Sequence, residues 1–381
     1  MFPVIRTIDD VLPHIKGNDN FSINKKDGYI VIDYILNTPD LFKNEIEKEC
    51  RGIIFGDDDG KLIARRLHKF FNFNERPESS IENIDFSKDH WILEKLDGSM
   101  ITPFRIGDRL TWGSKAGETF LTPQIEKFVA DHPTYRAFAV WCIDNGLTPI
   151  FEWCTRQNRI VIDYPEDRLV LIAMRWNDYG DYATYGFMED YSDIYNIDIV
   201  KEYPGNVQNM KAFAEQVANM SGIEGFVIRF IDGQMIKIKC AEYIRYHRAK
   251  DSINLEKNVV AIIVNNQADD FRTLLSETDR NRFEIFEDNF MFNVKRLAIN
   301  FNNIRHMVYE SGVSRKDYSL GEGKWHSKEL RSIIFDMFEE YDVSDFTIVQ
   351  KIFQLIKSKV GSATDLDKVR HLWGGFSWYD F

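Results

Sequence analysis

A lysine closes the apolar run Trp91-Ile92-Leu93 in "WILEKLDGSM", and Asp97-Gly98 turns the chain just beyond it. An amine is costly to withdraw from water unless chemistry uses it. A lysine whose pKa is lowered by nearby positive charge is a nucleophile; the plainer reading is a lysine at a hairpin end. "QMIKIKC" supplies candidate neighbours, because Lys237 and Lys239 alternate with Ile236 and Ile238 and a strand puts both lysines on one face. A solvated strand face explains that pair as well. Glu152 interrupts the apolar stretch "PIFEWC", where a lone carboxylate has to pair or bind metal. Glu224-Gly225 opens a second alternating stretch, "EGFVIRF", with Val227 and Arg229 on one face. Further cations stand beside strands or turns: Arg51 in "ECRGIIF", Lys69 before Phe70-Phe71, and Lys115 in "WGSKAG".

These side chains need a frame of strands, and the pattern predicts one. "GYIVIDYIL", "RLTWG", "TPIFEWC", "NRIVIDY" and "LVLIAMRW" read as strands. Hairpins are expected around Asp57-Asp58-Asp59-Gly60 and around Asp232-Gly233. "TPQIEKFVADHPTYRAFAVWCIDNG" reads as one helix ending at Gly146, and "NVQNMKAFAEQVANMSG" as another ending at Gly222. After about Tyr246 every apolar stripe has helical spacing. The expectation is an α+β domain over 1–245 followed by an all-helical domain over 246–381, with no linker and no repeat.

The net charge of −12, from 48 Lys and Arg against 60 Asp and Glu, argues against a protein coated for non-specific nucleic-acid binding but leaves room for a local basic cleft. Cys50, Cys142, Cys154 and Cys240 form no CxxC pair and no zinc pattern. No signal peptide and no apolar run of about 18 residues is present. A cytoplasmic protein with reduced thiols and no membrane association is expected.

The order K-x-D-G, Glu in an apolar strand, E-G before an alternating strand, then K-x-K resembles the covalent nucleotidyltransferases, the polynucleotide ligases and messenger-RNA capping enzymes. Lys95-Leu96-Asp97-Gly98 looks like motif I, Glu152 like motif III, Glu224-Gly225 like motif IV and Lys237-Ile238-Lys239 like motif V. The wording "ECRGIIF", "HKFFNFNE", "EKLDGS", "SKAG" and "EGFVIRF" is similar to the bacteriophage RNA ligase 1 family over residues 28–250, and more weakly beyond. Ser114-Lys115-Ala116-Gly117 departs slightly from the family's S-K-G.

The resemblance implies a ligase-type nucleotidyltransferase fold and an ATP-dependent RNA ligase. Lys95 would attack the α-phosphate of ATP to give a lysyl-adenylate, AMP would pass to an RNA 5′-phosphate, and a 3′-hydroxyl would then seal the strand. Lys237 and Lys239 would grip the α-phosphate and hold Lys95 partly neutral. Arg51, Lys69 and Lys115 would bind other phosphates, and Glu152 the ribose. Glu224 would hold Mg2+, with Mn2+ as a substitute. Tyr34 and Phe71 match aromatic positions near the nucleotide, with core packing as the alternative. Tyr243 matches a position needed for ligation. Asp269-Asp270 matches a metal-linked acidic pair, or else two acids at a helix start.

The implied substrate is RNA with 5′-phosphate and 3′-hydroxyl ends, in particular tRNA broken in its anticodon loop. The helical tail would read it, using basic clusters such as Lys324-Trp325-His326 and Lys328. An end-healing polynucleotide kinase/phosphatase is the implied partner, and the host cytoplasm the location if a virus encodes the chain. DNA ligases and capping enzymes follow motif V with a β-barrel, which the helical texture argues against. A non-catalytic RNA-binding module would have lost Lys95 or an acid, and a kinase needs a P-loop that is absent. ATP rather than GTP rests on the resemblance alone.

Overall fold

The computed structural model describes residues 2–35, 41–157, 159–205, 207–340 and 343–381. Leu36, Asn158, Asn206, Tyr341 and Asp342, which lie in or beside predicted elements, are outside the described residues. The chain forms two compact units, Met1–Ile244 and Arg245–Phe381, and their boundary falls within the helix Ala241–Ile253.

The first unit is α+β and carries three sheets. An antiparallel meander joins Phe21–Lys26, Tyr29–Tyr34, Arg51–Gly56 and Leu62–Ala64. A second antiparallel sheet has the order Arg168–Trp176, Leu147–Cys154, Ser99–Ile106, Arg109–Gly113. The third runs Glu202–Tyr203, His90–Lys95, Gly225–Phe230, Met235–Lys239, Phe71–Asn72, and only its last pairing is parallel. Alternation decides which face each strand buries. Ile92, Phe226, Ile228, Ile236 and Ile238 pack together in one core. Each such side chain stabilises by roughly 1.5–3 kcal/mol when fully buried. Val227, Lys237 and Lys239 are thereby turned to the opposite face.

Three expectations change. Lys95 does not end a hairpin: Leu96-Asp97-Gly98 carries the chain from the third sheet into the second, where Ser99–Ile106 pairs with Leu147–Cys154. The long predicted helix is two, Thr122–Asp131 and Pro133–Asp144, because Pro133 has no N–H to continue the first and instead starts the second. Within "NRIVIDY" the described residues form no strand. Residues 159–164 run as an irregular loop whose Val161 and Ile162 N–H groups donate to Asp97 rather than to a ladder.

Among its described residues the regular elements of the second unit are all helices. Its spine is the 34-residue helix Glu277–Glu310, capped by the Ser276 side chain. Phe283, Phe286, Phe290, Val294, Ala298 and Phe301 form its buried stripe at three- and four-residue spacing, and the helix Asp345–Lys357 packs into the same core. Among the described residues no helix is long and apolar enough to cross a membrane.

One backbone position holds the third sheet together. Lys95, Gly225 and Lys239 are register partners across three adjacent strands. Gly225 has φ +145°, and a Cβ there would overlap the Ile238 carbonyl oxygen. Gly225→Ala should therefore cost at least about 2 kcal/mol. Gly186→Ala, in open space within the helix Tyr185–Tyr195, should be neutral or stabilising. Chemical denaturation of the two variants checks this, and equal midpoints would refute the close approach at Gly225.

Candidate active site

A cavity of about 630 Å³ opens between the second and third sheets. The third sheet contributes Leu93, Lys95, Val227, Arg229, Met235, Lys237 and Lys239, and the second contributes Ser99, Met100, Glu152 and Ile172. The register arranges the third-sheet side chains in rows. Lys95–Gly225–Lys239 comes first, then Leu93–Val227–Lys237, then Trp91–Arg229–Met235.

In the first row Glu224 Oε1 lies 2.8 Å from Lys95 Nζ and 2.8 Å from Lys239 Nζ. Glu224 is buried, and its carbonyl accepts a hydrogen bond from Cys240 N–H at 3.0 Å. Across the cavity, Gly98 N–H donates to Glu152 Oε1 at 3.1 Å. A side chain at Gly98 would overlap the Trp153 carbonyl oxygen, so the D-G of the motif is set by contact with the opposite strand. Burial and the Glu224 charge raise the Glu152 carboxyl to about 7 against the opposing pull of Lys95.

Asp97 fixes the turn that follows Lys95. Its Oδ2 accepts from Val161 and Ile162 N–H, both at 2.7 Å, and its Oδ1 from Tyr243 Oη at 2.7 Å. Its own N–H donates to Tyr164 Oη at 2.9 Å. Tyr243 is buried with Lys239 Nζ 4.8 Å from its ring centre, and burial raises its phenol pKa.

The remaining cations divide between two places. Arg51 and Lys115 line the main cavity; Arg51 lies over the Phe70 ring, and Lys115 pairs with Asp33 at 2.9 Å. Lys69 and Phe71 instead line a separate cavity of about 230 Å³ with Lys48 and His68. Lys69 sits within 5.1–5.4 Å of the Tyr34, Phe42 and Phe71 ring centres, and Lys115 also lies over Tyr34. Burial, followed by Lys69, Arg51 and Lys95, pushes the Lys237 amine down to about 7. Burial and Arg51 push Lys69 down to about 8. Lys95 itself ends in the ion pair with Glu224.

Asp269 and Asp270 are exposed in the first turn of the short helix Ala268–Arg272 in the second unit, and Asp269 pairs with Arg272 at 2.7 Å. Among the described residues no three His, Cys, Asp or Glu side chains gather as a metal site. Sequence reasoning passed over Asp97, Phe70 and Arg229. For Asp97 the signal was the motif itself; for Arg229 it was the face shared with Val227.

The chain belongs to the RNA ligase family. A family model of that description matches residues 49–243, and a second, described as T4 RNA ligase 1, C-terminal domain, matches residues 250–362. The chain is 29% identical over 297 residues to an inferred RNA ligase of Thermovibrio ammonificans, covering 74% of this chain and 76% of that protein. It is 24% identical over 251 residues to RNA ligase 1 of bacteriophage TS2126, covering 64% of this chain and 62% of the relative. It is 28% identical over 251 residues to an inferred bifunctional polynucleotide kinase/RNA ligase of Autographa californica nuclear polyhedrosis virus, covering 59% of this chain and 34% of that longer protein.

The raised Glu152 carboxyl makes a signed prediction. A folded-state pKa above the unfolded one means that the folded protein disfavours the carboxylate. The penalty is complete above about pH 7 and absent below the ordinary carboxylate range near 4.5. Glu152→Gln keeps an oxygen for Gly98 N–H, so it should raise the melting temperature at pH 8 and lose that advantage as pH falls toward 4.5. A difference that stays constant across this range in thermal melts would refute it.

Proposed function

We propose that this chain is an ATP-dependent RNA ligase that joins 5′-phosphate and 3′-hydroxyl ends through lysyl-AMP and RNA-adenylate intermediates. The observation that carries the reading is the single Glu224 carboxylate shared by Lys95 and Lys239 across Gly225, in a cavity that also presents Lys237 and Arg51. A polyphosphate fits this donor set: Lys237 is disfavoured as a cation where it stands, and a bound anion offsets that cost. A divalent cation fits as well, because Mg2+ is commonly held by one or two carboxylates plus substrate phosphates, and Glu224 stands beside the lysines of the phosphate site. When bound, the metal would neutralise charge on the transferring phosphates.

In the first step the Lys95 amine attacks the α-phosphorus. The N–P bond forms, the bond to the bridging oxygen breaks, and pyrophosphate leaves with the electron pair. Glu224 Oε1, 2.8 Å from Nζ, is placed to take the amine's proton. In the second step an RNA 5′-phosphate oxygen displaces Lys95 from phosphorus. In the third a 3′-hydroxyl displaces AMP and seals the strand. Each displacement needs in-line positioning and charge stabilisation more than bond chemistry from the protein. Lys237, Lys239 and Arg51 supply the charge, with Lys69 and Lys115 for outer phosphates or the RNA end. Glu152 holds a ribose hydroxyl, Tyr34 and Phe71 shape the ring cage around Lys69, and Tyr243 steadies Asp97.

The helical unit is proposed to recognise folded RNA, specifically tRNA cut in its anticodon loop. Trp325 is 89% exposed beside Lys324 and Lys328, a combination suited to stacking a splayed base next to phosphates. The kinase/ligase relative supports pairing with an end-healing activity that prepares the termini. A DNA ligase or capping enzyme is less favoured, because the second unit is helical in its described residues rather than a β-barrel.

Lys95→Ala and Lys95→Arg should both fail to form a labelled enzyme–nucleotide adduct with α-labelled ATP and magnesium on a denaturing gel, since arginine stays charged. A normal adduct from either variant refutes Lys95 as nucleophile, and labelling by GTP instead of ATP refutes the nucleotide. The double variant Lys324→Ala/Trp325→Ala should form the adduct normally yet lose about tenfold or more of its sealing rate on nicked tRNA. Its rate on an unstructured oligonucleotide at the same salt should hold. Equal loss on both substrates argues against a specificity role.

A further inference from the structure

Of the described residues that line the main cavity, only Lys115 and Phe120 are exposed, Phe120 at 72%. The others are buried or half-buried, so these two mark the rim. A single exposed phenylalanine means little elsewhere on a protein surface. Beside a cation at the mouth of a phosphate-binding cavity, it matches a ligand that carries both a phosphate and a flat ring.

The chain holds this ring out on a fixed support. Residues 114–121 join the strand Arg109–Gly113 to the helix Thr122–Asp131. Gly117 has φ +82°, and a Cβ there would come 2.8 Å from Tyr29 Oη. Glu118 N–H donates to the same oxygen at 3.0 Å, and the Glu118 carboxylate accepts from Arg109 and Thr111. Thr119 N–H donates to Thr122 Oγ1 at 3.0 Å, and that hydroxyl donates to the Trp112 carbonyl at 2.9 Å. Leu121 is buried in one core with Ile125 and Val129. With its neighbours tied on both sides, Phe120 has little but two side-chain torsions to lose, so a ligand stacks on it at low entropic cost.

The size of the cavity says which ligand meets the rim. About 630 Å³ has room for a nucleotide and not for a strand. On the ligase reading the nucleotide is consumed first, and an RNA end must then reach the Lys95 adduct from outside, so its last nucleotides cross the rim. Every base presents a π face, and an aromatic side chain takes it without reading its identity.

We propose that Phe120 is a stacking platform for the terminal base of an RNA end entering the cavity, with Lys115 beside it for the adjoining phosphate. This rests on the ligase reading above and assigns Phe120 to the RNA strand rather than to ATP. The 5′-phosphate strand and the 3′-hydroxyl strand both carry such a base, and the two are separated by experiment.

The test uses the full-length protein and Phe120→Ala, Phe120→Leu and Phe120→Trp. Adduct formation from α-labelled ATP and magnesium needs no RNA and is the internal control, and the melting temperature of these variants should match the parent. In one arm the preformed adduct is chased with 5′-phosphorylated RNA whose first nucleotide is natural or abasic. In the other, pre-adenylated RNA is sealed to an acceptor whose last nucleotide is natural or abasic. In the arm that uses the contact, Phe120→Ala and Phe120→Leu should lose about 5- to 150-fold on the natural end, and Phe120→Trp should hold its rate. The abasic end should cost the parent a similar factor and Phe120→Ala little. Stacking at Phe120 is overturned if Phe120→Ala or Phe120→Leu matches the parent in both arms, or if abasic ends penalise parent and Phe120→Ala alike. It is overturned equally if adduct formation falls in step with the RNA steps. A parent protein that forms no adduct refutes the ligase reading instead, and equilibrium binding of the same natural and abasic ends to parent and Phe120→Ala then decides the contact.

Discussion

Glu224 holds two lysine amines at one oxygen, and the rest of the site follows from that constraint. Lys95 and Lys239 would repel if they converged without a counter-charge, and a buried carboxylate would be untenable without cations. Their convergence also needs a middle strand with no side chain in the way, which Gly225 supplies at φ +145°. A carboxylate, a bare glycine and two lysines are therefore one arrangement made by three strands. Remove any part and the others lose their reason to be where they are.

The first two sheets are joined electrostatically as well. Arg175 and Arg65 both engage Glu49, whose carboxyl is held at about 2 by those two guanidiniums against the cost of burial. Glu49 precedes the strand Arg51–Gly56, while Arg175 belongs to the second sheet, so the network locks one sheet to the other. Arg66 adds bonds to Thr102 and to the Gly52 and Gly113 carbonyls. Arg51 is carried to the cavity mouth by this packing. The chain as a whole is acidic at −12, yet Arg51, Lys95, Lys115, Lys237 and Lys239 all face one cavity. Local arrangement overrides net charge here, and desolvation makes the cluster a better receptor for phosphate than the same cations in water.

Much of this was visible in the residue pattern. The alternation in "QMIKIKC" put Lys237 and Lys239 on one face and the isoleucines in the core, because a strand's period of two leaves no other choice. The stripe from Phe283 to Phe301 announced a buried helix face by its three- and four-residue spacing. The order of the motifs around Lys95, Glu152, Glu224 and Lys239 is a property of the sequence alone, and it carries the family resemblance.

What the pattern could not contain is what faces each residue across a gap. Periodicity is a property of one strand; a cavity is a property of two sheets. Nothing local says that Asp97-Gly98 crosses between sheets, or that residues 159–164 abandon a strand to bond Asp97, since both depend on partners some 55–65 positions away. Lys69 and Lys237 look alike as cations beside aromatics, yet they line different cavities. Arg229 read as one more residue of an alternating strand. Only the packing of its neighbours left two of its nitrogens buried with no partner among the described residues, because whether a buried donor finds an acceptor is settled by every element around it at once.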